Sequence, residues 1–477
     1  MTQALVGLDV GTTGLKAVAL TPEGELVARA EHAYPLTTPL PGWAEQDPED
    51  WWRAAEGALG DLGVQPLAIG LSGQMHGLVA LDEHEQLLRP AILWNDQRTG
   101  AEVQEITELV GARRLVELTG NPALTGFTAP KLLWLRRHEP ETYARIRYVL
   151  LPKDYVRLRL TGEHATDVAD ASGTLLLDVA ARRWSEPMLN LLDVPGEWLP
   201  RVYESQDAAG TTRAGVPVAA GAGDQAASAL GVGVQVPGTT AVTIGTSGVV
   251  LAPLADFTAE AEGRLHIFCH AVPKRWHAMG VMLSAGGSLR WFRDAFAGGE
   301  SFDALISEAA DAPPGAEGVL FLPYLTGERT PHADPDVRAV FAGLAAGHGR
   351  GVLVRALLEG VAYGLRDSLE LIAELGERPS SARVSGGGAR STLWLRIVAS
   401  VLDIPLERPV TEEGAAFGAA LLAGVAGGVF ANIEDAIEAA VSVRDTVEPD
   451  PEWSKVYADG YERFRALYPL ARRASTG

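Results

Sequence analysis

Cysteine is almost absent from this chain, since a single residue, Cys269, occurs among 477 positions. One thiol excludes an internal disulfide, and within the apolar run HIFCHAV we expect it to be buried packing. This usage is typical of a reducing compartment, and the N-terminus lacks the basic and apolar regions of a secretory signal. We therefore expect a cytoplasmic protein of two or three domains that folds without cross-links.

Positive charge is also scarce. The chain has 40 Lys and Arg against 61 Asp and Glu, a net charge of −21. Nucleic acids and anionic membranes both require a basic surface, so the composition argues against either partner. An anionic ligand must therefore be held locally, by backbone N–H groups and a metal ion.

One uncharged stretch, residues 415–433, is long enough to be considered as a membrane-spanning helix. It is rich in alanine and glycine, and Gly424, Gly427 and Gly428 interrupt its end. We interpret it as an interior helix that begins after a cap region at 411–413, rather than as a membrane span.

The common phosphate loop, G-x-x-x-x-G-K-[ST], does not occur. Instead, LVGLDVGTTGLKAVAL at 5–20 predicts a β-hairpin in which Asp9 enters a turn carrying Thr12 and Thr13. Hydroxyls and N–H groups in such a turn can hold phosphate oxygens, although an ordinary hairpin turn is the alternative.

The segment AVTIGTSGVVL at 241–251 repeats this plan with Gly245 and Thr246, but without the aspartate. Two such hairpins predict a duplicated architecture, with one nucleotide held across a cleft and the metal on the acidic side. We expect the chain to cross between the halves near 238–240.

Polar residues follow several predicted strands, where ligand sites of α/β sheets collect. SGQMHG contains Gln74, Met75 and His76, which suit a sugar or polyol, or a turn whose histidine caps a neighbouring strand. ILWNDQR places Trp94 before a second polar run.

GAGDQ makes Asp224 the candidate general base, with a helix N-cap as the alternative. A reference pKa of about 3.9 would leave this carboxylate ionised at neutral pH without tuning.

Three further segments carry weaker predictions. The glycines of SGGGAR, 386–388, allow a flat ring or phosphate to approach the backbone, and a flexible turn is the alternative. We favour solvated loop positions over cleft positions for Asp167 and Asp170. The simplest interpretation of Glu328 and Arg329 is a structural ion pair.

Over essentially its whole length the chain resembles the FGGY carbohydrate kinase family, and within it most closely the xylulokinases. The resemblance is carried, in the family's order, by GLDVGTTGLKAV, PGWAEQDPEDWW, SGQMHG, ILWNDQR, GFTAPKLLWLRRH, LLPKDYVRLRLTGE, GAGDQAAS, IGTSG, LPYLTGERTPH, LEGVAYGLRD and SGGGAR. It implies an ATP-dependent kinase of two α/β domains, actin-like and ribonuclease H-like, related by duplication and closing on an active-site cleft.

The resemblance also implies that the two halves of the chain bind different substrates. Residues 1–237 would form the sugar-binding domain and 238–477 the nucleotide-binding domain, with a last helix at about 452–477 whose packing partner the sequence leaves open. Oligomeric state is open as well, a homodimer included.

Site residues follow from the same resemblance. Asp9 would lie by Mg²⁺, Asp224 would deprotonate the attacking hydroxyl, and Gln225 stands where some xylulokinases have Asn. The phosphates would be bound by Thr12, Thr13, Gly245 and Thr246, the adenosine by Gly387, Gly388 and Ala389, and the ketose by Gln74, Met75, His76, Trp94, Asp224 and Gln225.

The expected reaction is phosphorylation of D-xylulose to D-xylulose 5-phosphate by MgATP. Within the same class, another ketose or polyol, such as ribulose, gluconate or glycerol, is the alternative substrate. An actin-like or chaperone-like ATPase is disfavoured because the polar strand ends would have no ligand. A silent sugar-binding regulator is disfavoured because both Asp9 and Asp224 are present.

Overall fold

The computed structural model describes residues 2–376, 378–411 and 413–475. Its architecture is α/β, with two seven-stranded mixed sheets that each carry helices, so the predicted fold class is confirmed. Glu412, in the predicted cap region, and residues 476–477, at the end of the predicted last helix, lie outside the described residues.

The first half of the chain supplies one large sheet, small two-stranded sheets and the helices around them. Its strands are β1 (Gln3–Val10), β2 (Gly14–Leu20), β3 (Leu26–Ala33), β4 (Glu45–Gln46), β5 (Gln65–Gly73), β6 (Val79–Leu81), β7 (Ala91–Ile92), β8 (Tyr148–Leu150), β9 (Ala165–Asp167), β10 (Leu177–Asp178), β11 (Arg183–Trp184), β12 (Arg201–Tyr203), β13 (Ala208–Thr211), β14 (Pro217–Ala219) and β15 (Ala222–Gly223). Its helices are α1 (Pro48–Asp61), α2 (Gly100–Val110), α3 (Ala112–Thr119), α4 (Thr128–His138), α5 (Pro140–Arg145), α6 (Pro152–Thr161), α7 (Val168–Ala171), α8 (Glu186–Leu192) and α9 (Asp224–Gly231).

The second half supplies the other large sheet. Its strands are β16 (Thr239–Ile244), β17 (Gly248–Leu254), β18 (His266–Cys269), β19 (Trp276–Met282), β20 (Leu320–Leu322), β21 (Val340–Ala342), β22 (Ser381–Ser385), β23 (Leu406–Pro409) and β24 (Val443–Val447). Its helices are α10 (Gly286–Phe296), α11 (Phe302–Asp311), α12 (Arg350–Glu374), α13 (Thr392–Leu402), α14 (Gly414–Ala426), α15 (Ile433–Ala440), α16 (Pro451–Arg465) and α17 (Tyr468–Ser475).

The two large sheets repeat one topology, which confirms the predicted duplication. In the first, β3, β2 and β1 are antiparallel neighbours, and β5 and β14 continue in parallel. In the second, β19, β17 and β16 are antiparallel, and β22 and β23 continue in parallel. The predicted hairpins are therefore the equivalent pairs β1–β2 and β16–β17.

The alanine-rich stretch is an interior helix, α14, as predicted, although it ends at Ala426 and a separate helix, α15, begins at Ile433. It packs on the first sheet, where Gly7 and Gly70 lie side by side on β1 and β5. A Cβ on Gly70 would lie 2.7 Å from the carbonyl carbon of Ala419, so only glycine admits the helix at this depth. Within the described ranges, no helix is both long and apolar enough to span a bilayer.

The chain therefore returns to the first sheet before β24 completes the second. The helices α14 and α15 contribute to a core cluster that includes Leu5, Val18 and Ala68 of the first sheet. Another cluster joins first-half residues to Leu251, Phe268 and Met279 of the second sheet. The domain division at 237 and 238 stays a prediction.

The prediction of one terminal helix over 452–477 was wrong, because α16 ends at Arg465 and α17 begins at Tyr468. Both helices pack on the core of the second half through Tyr457, Phe464 and Ala471. Cys269 is fully buried on β18, as predicted.

Candidate active site

The turn between β1 and β2 is held by side chains from three other segments. Tyr34 donates its hydroxyl to the Gly11 carbonyl at 2.5 Å, and Gln46 donates its amide to the Thr12 carbonyl at 2.7 Å. Gln74 donates to the Gly11 carbonyl at 3.3 Å. These hydrogen bonds satisfy the carbonyl groups of the turn and fix its backbone conformation.

Gln74 therefore has an environment different from the predicted sugar contact. Its side chain is 1% exposed, and its amide oxygen accepts the Thr12 hydroxyl at 3.2 Å. Trp94, in contrast, is 42% exposed, and its indole N–H donates to the same hydroxyl at 3.0 Å. Thr13 is exposed at the tip of the turn. The structure thus brings Thr12, Thr13 and Trp94 together at an open surface and puts Gln74 beneath it.

Asp9 lies at the end of β1, between Lys16 on β2 and Ser72 on β5. Burial raises its pKa to about 6, opposed by the Ser72 hydroxyl and the Lys16 charge. Its Oδ1 is buried and has no hydrogen-bond partner among the described residues. A buried carboxylate oxygen without a donor is suited to a cation.

Asp224 begins α9 but does not cap it. The N-cap is Gly223, which has no side chain, so the interpretation of Asp224 as the N-cap is wrong. Burial, and then the Asp9 charge, raise the Asp224 pKa to about 7, opposed by the Gln225 amide groups. The Asp224 pKa is therefore not the unshifted value expected from the sequence. Asp9 and Ala222 both pair with Ser72 of β5, which places Asp224 close to Asp9 at one side of the predicted cleft.

Met75 and His76 border this cleft. A Cβ on Gly223 would lie 2.7 Å from the Met75 Cγ, so the methionine contacts the turn that carries Asp224. His76 has a left-handed backbone with φ of 69°, and its Nδ1 lies 2.6 Å from the Gly173 carbonyl oxygen. A carbonyl only accepts, so Nδ1 carries the hydrogen and Nε2 is left as an acceptor.

The charge state of His76 agrees with this tautomer. Burial lowers its pKa to about 3, with smaller contributions from the charges of Lys131 and Arg329, although the Gly173 bond raises it. The ring is therefore neutral at physiological pH. A neutral imidazole with a free Nε2 can accept a hydrogen bond from a sugar hydroxyl.

Lys131 forms a hydrogen bond with the backbone of His76. It is fully buried, and its ammonium donates to the carbonyls of His76 at 2.8 Å and Gly126 at 2.5 Å. The Thr128 hydroxyl donates to the same His76 carbonyl at 3.1 Å. Burial lowers the Lys131 pKa well below its usual value. The sequence offered no signal for this role, because the contact joins positions 55 residues apart.

Asp167 and Asp170 are neither solvated nor in the cleft, so the prediction of loop acids was wrong. Both are fully buried and lie 2.7 Å and 3.3 Å from the ammonium of Lys153. Lys153 also lies 2.5 Å from Asp154, in a network completed by Arg157. The network fixes α7, which leads directly into the turn that presents the Gly173 carbonyl to His76.

On the second half, a cavity of about 1060 Å³ opens beside the β16–β17 turn. Gly245, Thr246, Gly387 and Gly388 line it, together with residues of α10 and α11. Gly386, at φ of 85°, turns the chain so close to β16 that a Cβ there would lie 2.7 Å from the Ile244 carbonyl oxygen. Four of the predicted nucleotide residues of the second half therefore meet at one cavity, whereas Thr12 and Thr13 of the first half do not line it.

Ala389 is the exception, because it does not line that cavity and packs in the core of the second half with 9% of its surface exposed.

Glu328 and Arg329 do not form the predicted ion pair. The Glu328 carboxylate accepts the backbone N–H groups of Leu283 at 2.9 Å and Arg329 at 2.8 Å. Burial raises the Glu328 pKa to about 8.

Comparison with known proteins agrees with this site. The model of the FGGY family of carbohydrate kinases, N-terminal domain, matches residues 4–231, and the C-terminal domain model matches 240–427. The xylulose kinase of Escherichia coli (strain K12) is 45% identical over 428 residues, covering 87% of this chain and 88% of its own.

A crystal structure titled as a xyloylose kinase from Brucella ovis is 40% identical, with a TM-score of 0.93, and covers 99% of this chain and 100% of its own. The gluconokinase of Bacillus subtilis (strain 168) is 30% identical, covering 88% and 86%. With both family models matched in order over most of its length, the chain belongs to the FGGY family of carbohydrate kinases, which are ATP-dependent sugar phosphotransferases.

Proposed function

We propose that the chain transfers the γ-phosphoryl group of ATP to O5 of D-xylulose, with Asp224 as the general base. The observation that carries the proposal is the position of Asp224: it is the first residue of α9, its turn contacts Met75, and β15 just before it pairs with β5 at the residue that also pairs with Asp9. The greater identity to a xylulose kinase than to a gluconokinase supports the ketose as substrate.

The chain's own groups account for the steps of this reaction. Asp224 takes the proton from the attacking hydroxyl, and a pKa of about 7 suits proton transfer near neutral pH. His76 Nε2 accepts from a ketose hydroxyl, and Met75 supplies an apolar wall. Backbone donors of the turns at 11–13 and 245–246 bind phosphate oxygens. Closure of the cleft excludes water, which is the competing nucleophile.

Asp9 is the proposed Mg²⁺ ligand. Its unpartnered buried Oδ1 fits a cation that, in kinases, takes one or two carboxylates together with substrate phosphates. When bound, Mg²⁺ neutralises charge on the phosphate oxygens. Lys16 lies opposite Asp9 on β2 and adds positive charge on the same side of the cleft.

The proposal also includes a domain boundary and a cellular compartment. We divide the chain at 237 and 238, supported by the gap between the two matched ranges. A single buried thiol supports a reducing cytoplasm as its location.

An ADP-release assay across a panel of ketoses and polyols tests the proposal. D-Xylulose is expected to give the highest kcat/KM, above ribulose, gluconate and glycerol. A control without sugar measures transfer to water. Comparable rates with and without sugar would point to an ATPase, and a higher kcat/KM for a polyol would reassign the substrate.

His76→Ala should raise KM for D-xylulose about tenfold, the loss expected for one hydrogen bond, and leave KM for ATP nearly unchanged. Steady-state kinetics with each substrate varied in turn will measure both constants. His84→Ala is the matched control, since that side chain is 77% exposed. A larger effect on KM for ATP than on KM for the ketose would remove His76 from the sugar site.

The pH profile follows from the Asp224 pKa of about 7. The base must be unprotonated to accept a proton, so kcat/KM for D-xylulose should rise with pH through about 7 and level off above it. Below that value the expected slope is about tenfold per pH unit. A profile that is flat from about pH 5 to about pH 8 would show that this carboxylate is not the base.

A further inference from the structure

Arg329 is a cation without a partner in the segment Tyr324–His332, which follows β20. Among the described residues no acceptor lies within hydrogen-bond distance of its guanidinium, and the charge of Glu328 acts on it only at longer range. Burial lowers its pKa. Arg329 is only partly buried, so its guanidinium, which makes no hydrogen bond within the described part of the chain, can donate to a bound ligand.

The backbone around Arg329 is firmly placed. Thr330 donates its N–H to the Val281 carbonyl at 3.0 Å, and its hydroxyl lies 3.0 Å from both the Val281 N–H and the Arg264 carbonyl. Glu328 binds the Leu283 N–H on the other side. Residues 328–330 thus lie along the end of β19. The hydrogen bonds of Glu328 and Thr330 fix the backbone on both sides of Arg329.

These backbone contacts connect the segment that carries Arg329 to the side of the sugar site where His76 lies. Arg264 lies two residues before His266 on β18, and the His266 ring is 5.9 Å from that of Phe127. The Phe127 ring is in turn 4.6 Å from that of His76. The Arg329 charge lowers the pKa of both histidines.

Asp224 lies on the other side of this pair of residues. The turn that carries Asp224 contacts Met75, since a Cβ on Gly223 would lie 2.7 Å from the Met75 Cγ, whereas the His76 ring packs on Phe127. A ketose bound with its O5 at Asp224 therefore directs its other end, C1 and the C2 carbonyl, toward His76 and Arg329.

The chemistry of an open-chain 2-ketopentose decides which group the arginine binds. Each hydroxyl can both donate and accept, whereas the carbonyl oxygen only accepts, and a guanidinium only donates. His76 Nε2, an acceptor, fits a hydroxyl. We propose that Arg329 donates to the C2 carbonyl oxygen of the bound sugar and makes the site prefer a ketose to the corresponding pentitol. This inference rests on the proposed function, because it takes D-xylulose as the substrate.

Arg329→Met, in the full-length chain, tests the assignment with D-xylulose and its two C2-reduced forms, xylitol and D-arabinitol. We expect kcat/KM for D-xylulose to fall about 10- to 100-fold, the range of one charge-assisted hydrogen bond, and the values for the pentitols to fall much less. KM for ATP and ADP release without sugar should not change. Arg329→Lys, which keeps a donor, should recover part of the loss.

The control is Arg338→Met, the same change at an exposed arginine bonded only to neighbouring backbone. Equal losses on ketose and pentitols would overturn the carbonyl assignment, and a raised KM for ATP would move Arg329 to the phosphates. A lower melting temperature for Arg329→Met would show a structural role, since a side chain without partners should be dispensable for folding.

Calorimetric titration with D-xylulose separates this inference from the proposed function. A wild-type chain that binds D-xylulose without phosphorylating it would overturn the function, and weaker binding by Arg329→Met would still support the inference. Equal affinity of the two proteins for D-xylulose would overturn the inference while leaving the function intact. A wild-type chain that does not bind D-xylulose would overturn both.

Discussion

Asp224→Asn is expected to lower kcat by about 10²- to 10⁴-fold, the usual contribution of a positioned general base. Asparagine has the shape of aspartate and its Oδ1 can still accept from the Gln225 N–H, so the amide should fit without disturbing the helix. Nucleotide binding, which we propose for the cavity of the second half, should persist. Single-turnover kinetics and titration with ADP will separate the two effects.

The same substitution should raise the melting temperature at about pH 8. Because burial raises the Asp224 pKa to about 7, the folded chain keeps a proton that the unfolded chain releases near 3.8. Stability from the neutral carboxyl is therefore present below 3.8 and is lost as pH rises through about 7. Asparagine stays neutral, so the gain over wild type should be larger at about pH 8 than at about pH 5.

Asp256→Asn, at an exposed position of the second half, is the matched control and should change neither kcat nor the pH dependence of melting. Near-normal turnover of Asp224→Asn would remove Asp224 as the base. Lower stability at about pH 8 would contradict the buried, ionised carboxylate that the structure describes.

Gly70→Ala is expected to lower the free energy of unfolding by about 3 kcal/mol, at the upper end for overpacking. The new Cβ would meet the backbone of Ala419 and Ala423 in α14, at 2.7 Å from a carbonyl carbon and 3.1 Å from an amide nitrogen. A helix backbone cannot rotate aside as a side chain can, so α14 must shift from the sheet. Denaturant titration will measure the change.

Gly60→Ala is the control for the same chemical change. Gly60 lies near the end of α1, where a Cβ meets nothing within 4 Å. Alanine there should stabilise the chain by up to about 1 kcal/mol through helix propensity. If Gly70→Ala were as stable as Gly60→Ala, the close packing of α14 on β1 and β5 would be refuted.

The two predicted hairpins could be identified from the sequence because a hairpin depends on residues that are close together in the chain. Glycines that permit a tight turn and alternating apolar residues on either side are contiguous in the chain, and both hairpins formed where expected. The interior helix α14 was accessible for the same reason, since a run of small uncharged residues directly indicates close packing.

Other residues have environments that the sequence did not indicate, because their partners are remote in sequence. Gln74 was expected to contact the sugar, and the structure adds bonds to Gln46 and the 11–12 turn. Asp170 was expected in solvent, but its partner Lys153 lies in another helix. A polar residue in a loop has the same local pattern whether its surroundings are water or a buried cation.

By itself the sequence determined the duplicated hairpins, the candidate base Asp224 and the family, because each depends on residues adjacent in the chain or in a fixed order. Tertiary structure alone decided the raised pKa of Asp224, the neutral tautomer of His76 and the effect of the Arg329 charge on the His76 pKa. Burial and the field of distant charges set these properties, and both arise only when remote segments pack together.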